Sequence, residues 1–210
     1  MKQSTSIPFF ILLTCVAWNS HAETQWEKVR DKNGISVYTS ETDNSDIIKV
    51  KTRVIIDASL KHIQQILDNA PMRNQWVPYL AHSRIIHRFS DNERLEYSLF
   101  SAPWPASDRD FVYRMTLLHQ DDDKISYSMV SEVHSLMPEN KDIVRAELIE
   151  SIYTLTAIDN QKTHVELIFQ ADPKGWLPVW VINIIQKALP YLILRNLREL
   201  TMNKTAQENL

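Results

Sequence analysis

Over most of its middle this chain alternates apolar and polar residues with a period of two, and it changes to longer apolar spacings near its two ends and at one early segment. In residues 47–56, Ile48, Val50, Thr52, Val54 and Ile56 fall on one face while Lys49, Lys51 and Arg53 fall on the other, as in a sheet with one wet side. Segments 83–88, 94–100, 110–119, 124–133, 144–157 and 163–171 read as further strands. Asp121-Asp122-Asp123 and Asp159-Asn160-Gln161 are polar turn sequences between such runs, so consecutive strands are expected to pair antiparallel. In residues 26–38, Lys32-Asn33-Gly34 followed by Ile35 and Val37 predicts a turn leading into a strand. Residues 135–142, with Pro138, form a longer loop.

Two segments carry helical signals. Asp57 is expected to cap a helix in which Leu60, Ile63 and Leu67 recur until Pro71 stops it, with a short turn carrying Trp76 after it. Pro178 suits the first turn of a final helix, whose apolar run over 177–194 is broken only by Asn183, Gln186, Lys187 and its prolines. Pro190 must remove one backbone hydrogen bond within it. Beyond Leu194 the pattern turns amphipathic, with Leu197 and Leu200 against Arg195, Arg198 and Glu199. A lysine and two amides inside the apolar run make packing on a sheet the better reading than spanning a membrane. Seven or more antiparallel strands, an early helix and a long terminal helix describe an α+β layer fold. One such solution is the helix-grip fold, in which a curved antiparallel sheet wraps around the terminal helix and unfilled volume remains as an internal hydrophobic tunnel.

The N-terminus belongs to a different class of sequence. Lys2 precedes an apolar run over residues 7–18, and Ser20-His21-Ala22 resembles a small-x-small cleavage site, so residues 1–22 read as a cleaved signal peptide. Cys15 follows Thr14 rather than a small residue, which argues against a lipid anchor. Removing 22 of the 210 residues leaves a single domain over 23–210 without cysteine, held by packing alone and delivered outside the cytoplasm, to a periplasm. The formal net charge of −3 moves to about −4 once Lys2 is lost, and no basic footprint for nucleic acid is present. Gly34 and Gly175 are the only glycines, so neither a phosphate-binding loop nor a Gly-x-Ser-x-Gly elbow can be built. The histidines show no metal-ligand spacing, and no metal or cofactor is expected.

The least generic stretch is 101–115. Pro103 and Pro105 break regular structure there. The strand that follows places Arg109, Phe111, Tyr113 and Met115 on one face, a charge among large apolar groups. Pro103-Trp104-Pro105 with Ser107-Asp108-Arg109-Asp110-Phe111-Val112 resembles the signature of StAR-related lipid transfer (START) domains of the bacterial exported type. Three further segments fit in order: the Trp26…Asn33-Gly34…Val37-Tyr38 strand, the Arg73-x-x-Trp76-x-Pro78 turn, and Ala171-Asp172-Pro173-x-Gly175…Pro178…Trp180…Asn183 before the last helix.

The resemblance implies a tunnel for one lipid (phospholipid, fatty acid or sterol-like), a movable terminal helix as lid, transient membrane contact, and binding or transfer rather than chemistry. It also implies that Arg109 lines the tunnel. The expected wall is Arg109, Phe111, Tyr113 and Met115, with Leu99 and Tyr97 from the preceding strand. The expected lid face is Trp180, Ile184, Ile185, Ala188, Leu189 and Leu192. Some members pair the arginine with a carboxylate on the preceding strand, and the matching position here reads as Leu99. Two roles for Arg109 thus stand open, a lipid headgroup contact or a structural partner of a neighbouring carboxylate. Asp108 and Asp110 share the opposite face and are expected in turn and sheet-edge hydrogen bonds. The alternatives to lipid transfer are a cyclase or hydrolase using the tunnel, recognisable by convergent polar groups with perturbed pKa, and a lipid sensor acting on a protein partner.

Overall fold

The structure is a computed structural model that describes residues 25–43, 45–102 and 106–208, with side chains to residue 202. The signal-peptide reading and the Pro103-Trp104-Pro105 bend lie outside the described residues. The chain runs β1 (Glu27–Lys32), β2 (Ile35–Thr42), β3 (Ser45–Ile56), α1 (Leu60–Asp68), a 3₁₀ turn (Ala70–Gln75), then β4 (Leu80–Arg88), β5 (Glu93–Phe100), β6 (Arg109–Gln120) and β7 (Lys124–Ser131). It ends with β8 (Val144–Arg145), β9 (Glu147–Asp159), β10 (Lys162–Asp172) and α2 (Val179–Glu208).

These strands form one sheet in the order β1-β2-β3-β10-β9-β7-β6-β5-β4. The β3–β10 pairing joins strands from the two ends of the chain within one curved sheet that has β1 and β4 at its edges and a concave face. Asn33 (φ 55°) and Gly34 (φ 70°) make the two-residue turn between β1 and β2, where positive φ at both positions matches the twist of the strands. All neighbours along the sheet pair antiparallel, as expected, with one exception. β7 stops pairing β6 at Tyr113↔Ser131, and β8 fills the vacated edge in parallel, Arg109↔Val144 and Asp110↔Arg145. The first helix is capped by Ser59, whose Oγ accepts from His62 N at 3.3 Å, and not by Asp57. Asp57 lies too far upstream to reach an orphan amide of the first turn.

The terminal helix is two things in sequence. Its C-terminal half is core: Leu194 and Leu197 are fully buried against β2 and β3, Arg30 stacks over the Tyr191 ring at 3.8 Å, and Arg198 Nη1 donates to Asn33 O at 2.8 Å. Its N-terminal half is half-wet, with Trp180 68 % and Ile184 57 % exposed. Pro190 stands at the join. Among the described residues no helix is long and apolar enough to cross a membrane.

Candidate functional site

Between the concave face and the first half of α2 lies a cavity of about 520 Å³, within the roughly 300–1,000 Å³ typical of ligand sites. Its wall is almost wholly apolar, with Phe100, Phe111, Met129, Leu148 and Phe169 from the strands and Val181, Ile182 and Ile193 from the helix. Phe100 and Phe111 meet edge to face, centroids 5.5 Å apart, between two polar stations on β6. Those stations are Arg109 and Tyr113, four residues apart on one strand face and hence about 13 Å apart along the wall.

The expected wall divides in a way that alternation alone does not decide. Arg109, Phe111 and Tyr113 line the cavity. Met115 shares their face but lies past the end of the cavity, where its sulfur is 2.9 Å from Arg94 Nη2. Leu99 and Tyr97 are on the wrong face. β5 pairs β6 in the register Phe100↔Arg109, Ser98↔Phe111 and Glu96↔Tyr113, so the even-numbered residues of β5 enter the concavity. Leu99 and Tyr97 instead pair with Asp110 and Val112, and Arg84 stacks over the Tyr97 ring at 5.5 Å. A one-residue offset exchanges the faces of a whole strand. On the helix, Ile184, Ile185, Ala188, Leu189 and Leu192 line the cavity; Trp180 does not and faces solvent.

The carboxylate sought at Leu99 stands at Glu96, fully buried, and it belongs to other arginines. Arg73 Nη1 donates to Glu96 Oε2 in a short contact and also to Tyr113 OH at 2.7 Å. Arg94 Nε donates to Glu96 Oε1 at 2.6 Å, and Tyr113 OH donates to Oε2 at 2.9 Å. Arg94 Nη1 in turn meets Asp68 Oδ1 at 3.1 Å, so two cations and two carboxylates balance. Burial pushes the Glu96 pKa up, but Arg73 and Arg94 outweigh it and hold the carboxyl below its ordinary value. Burial also pulls Arg73 down, yet Tyr113 and Glu96 outweigh it and its pKa rises. Tyr113 and Tyr153 are pushed up, chiefly by burial. Arg73 sits in the resemblance motif, but periodicity does not reveal its partner: placing Leu99 and Tyr97 on the wall puts Glu96 on the opposite face of β5.

Arg109 occupies the other station, half-buried, beside Gly175 and Val144. Its Nη1 donates to Ser107 O in a short contact, its buried Nε has no partner among the described residues, and no carboxylate pairs with it there. Asp108 accepts from Ala102 N at 3.0 Å, and Asp110 takes Arg145 in a two-pronged ion pair, Nε at 2.7 Å and Nη2 at 3.1 Å. Both aspartates thus do the structural work expected of them. Among the described residues no cluster of His, Cys, Asp or Glu suits a metal ion.

A curved antiparallel sheet closed over an apolar cavity by its terminal helix defines a helix-grip protein. The START domain family model matches residues 16–205, and the chain belongs to that family. It is 27 % identical to START domain-containing protein 10 of Mus musculus over 164 residues, which cover 77 % of this chain and 56 % of that protein. The chain therefore spans just over half of that relative. Against the ceramide transfer protein of Pongo abelii identity is 22 %, covering 88 % of this chain and 33 % of that protein. Among solved structures, human STARD10 superposes with a TM-score of 0.80 at 23 % identity, covering 90 % of this chain and 78 % of that one. A STAR-related lipid transfer protein fragment from Xanthomonas axonopodis gives 0.73 at 29 % identity, covering 83 % and 97 %. An aromatase/cyclase from Streptomyces gives 0.54 at 10 % identity, covering 75 % and 94 %.

Proposed function

We propose that this protein binds one lipid in the tunnel and carries it between membranes without chemical change, as an exported protein acting outside the cytoplasm. The observation that carries the reading is the apolar cavity itself, roofed by a helix half whose own apolar residues remain partly exposed. Removing an acyl chain from water is worth about 0.8 kcal/mol per methylene, so a tunnel of this kind holds a chain about as well as a bilayer does. Names given to relatives of the family, a lipid transfer protein and a ceramide transfer protein, agree with it. Trp176, 91 % exposed, and Trp180 beside it give the tunnel's closing end two aromatic groups suited to a membrane surface.

Arg109 is the contact for the lipid's polar end. A planar donor fork with no carboxylate partner among the described residues suits acceptor oxygens on a phosphate, carboxylate or hydroxyl. Replacing Arg109 with Leu is expected to weaken binding of polar-headed lipids roughly ten- to a hundredfold, with the melting temperature unchanged, measured by binding of fluorescent lipids and by mass spectrometry of lipids extracted from the purified protein. A variant that melts early and binds normally makes Arg109 structural instead.

One observation invites the enzymatic alternative, because Arg73, Glu96, Tyr113 and Tyr153 converge in the buried wall with shifted pKa values. The directions speak against it. The acid is pushed down, the arginine up and the phenols up, so each is locked in its ordinary charge state rather than poised to exchange a proton near neutrality. Turnover of a bound lipid by the wild type and its loss in Tyr153→Phe would favour the enzyme; unchanged lipid recovered after long incubation favours carriage.

A further inference from the structure

Gln186 on α2 is the strangest residue of the lid. It is 2 % exposed and lines the tunnel, where the other residues that α2 contributes to the wall are apolar. Its Nε2 donates to Ala171 O at 2.8 Å, at the register shift where β10 leaves its regular pairing with β9. That bond fixes the orientation of the amide, since a backbone carbonyl can only accept and must meet the NH₂ end. Oε1 is left buried with no donor among the described residues.

Other polar groups on the wall without partners among the described residues have different needs. The hydroxyls of Ser151 and Tyr153 rotate, and so can donate or accept. The buried N–H groups of Arg73 Nε and Trp76 Nε1 only donate. Gln186 Oε1 only accepts, and a buried acceptor left unmet is unfavourable. It therefore requires a donor from whatever fills the tunnel. The donor is uncharged: Arg109 on the same wall, without a carboxylate partner among the described residues, repels an ammonium, and apolar surroundings penalise it further.

We propose that Gln186 makes the tunnel selective for lipids carrying an uncharged hydrogen-bond donor, a hydroxyl or an amide N–H, held inside the tunnel. This rests on the tunnel being a lipid site and narrows the class of lipid it takes. It also gives the lid helix a second task, reading the occupant as well as covering it.

The test uses two single-chain probes of equal chain, oleyl alcohol and oleyl methyl ether, which both carry an sp³ acceptor oxygen and differ in that a methyl replaces the alcohol's O–H donor. Each displaces an anthroyloxy-labelled fatty acid from the folded protein, wild type or Gln186→Met. The alcohol-to-ether affinity ratio is expected to be about tenfold larger in the wild type, through loss of alcohol affinity in the variant. Breaking the bond to Ala171 loosens the lid for both probes alike and leaves the ratio unmoved, so a merely structural Gln186 gives equal ratios. Ratios within twofold of each other overturn the proposal. A folded wild type that takes up neither the labelled acid nor the alcohol overturns the lipid reading itself, a result distinct from equal ratios.

Discussion

Glu96→Gln is expected to lower stability by about 3–5 kcal/mol, because it leaves two buried arginines facing a neutral amide. In a chain of this size that corresponds to a melting temperature lower by roughly 6–20 °C. Glu96 accepts from Arg73, Arg94 and Tyr113 at once, so the substitution removes the hub of the network rather than one spoke. Two controls separate this from ordinary core damage. Arg73→Met combined with Glu96→Leu is expected to lose less than Glu96→Gln alone, since the second buried charge leaves with the first and Arg94 keeps Asp68. The second control is pH. The folded pKa of Glu96 lies below its ordinary 4.5, so its stabilisation is fully present above that value and is lost as the pH falls below it toward the depressed one. The gap between wild type and Glu96→Gln should therefore narrow on acidification below pH 4.5, read by chemical denaturation at each pH. A gap under about 1 kcal/mol at neutral pH, or one that widens in acid, would sink this account of the cluster.

Tethering the first half of α2 is expected to slow lipid transfer between vesicles by roughly tenfold or more, because opening of a lid then limits the rate. Asn183 shows where to tether. Its Oδ1 accepts from Ile48 N and its Nδ2 donates to Asp46 O, both at 3.1 Å, so the helix is already latched to the start of β3 at this point. Ile48→Cys with Asn183→Cys would replace that latch with a covalent one. The sequence has a single cysteine, Cys15, in the segment expected to be cleaved, so the engineered pair has no native competitor. Transfer measured with the oxidised protein should recover on adding reductant. Undiminished transfer in the oxidised state means that the lipid leaves by another path. Because Leu194 and Leu197 are buried, the proposed lid would open in the half before Pro190, which predicts that a tether placed beyond Pro190 changes transfer little.

Much of the architecture was legible before any coordinates. The alternation of Lys49, Lys51 and Arg53 with Ile48, Val50 and Val54 described β3 as a strand, although Lys51 is buried against the Trp26 ring rather than wet, and Asn33-Gly34 described the turn before β2, because local sterics suffice to specify each. The long helix after Pro178 was equally clear. Its division into a buried core half and a half-exposed cavity-lining half was not, since Leu189 and Leu197 look alike in sequence and differ only in what the sheet places opposite them. The two-residue β8 was hidden as well, being defined by where β7 stops rather than by its own residues.

The site shows the boundary most sharply. Composition and local pattern determined an α+β chain with an antiparallel sheet and a long apolar terminal helix, and they put Arg109, Phe111 and Tyr113 on one face of β6; the curved helix-grip arrangement was implied by the family resemblance. Tertiary structure alone decided which face of β5 meets them. A period of two separates a strand into two sets without saying which is buried, and the row Arg94, Glu96, Ser98 carries the polarity of a solvent face. It is buried because Arg73, brought in by the turn after α1, supplies the charge that makes its burial tolerable, and no spacing along the chain could announce a partner 23 residues away. Among the described residues the fold also leaves Arg109 without a carboxylate and Gln186 Oε1 without a donor, the two positions at which the proposed lipid would be held.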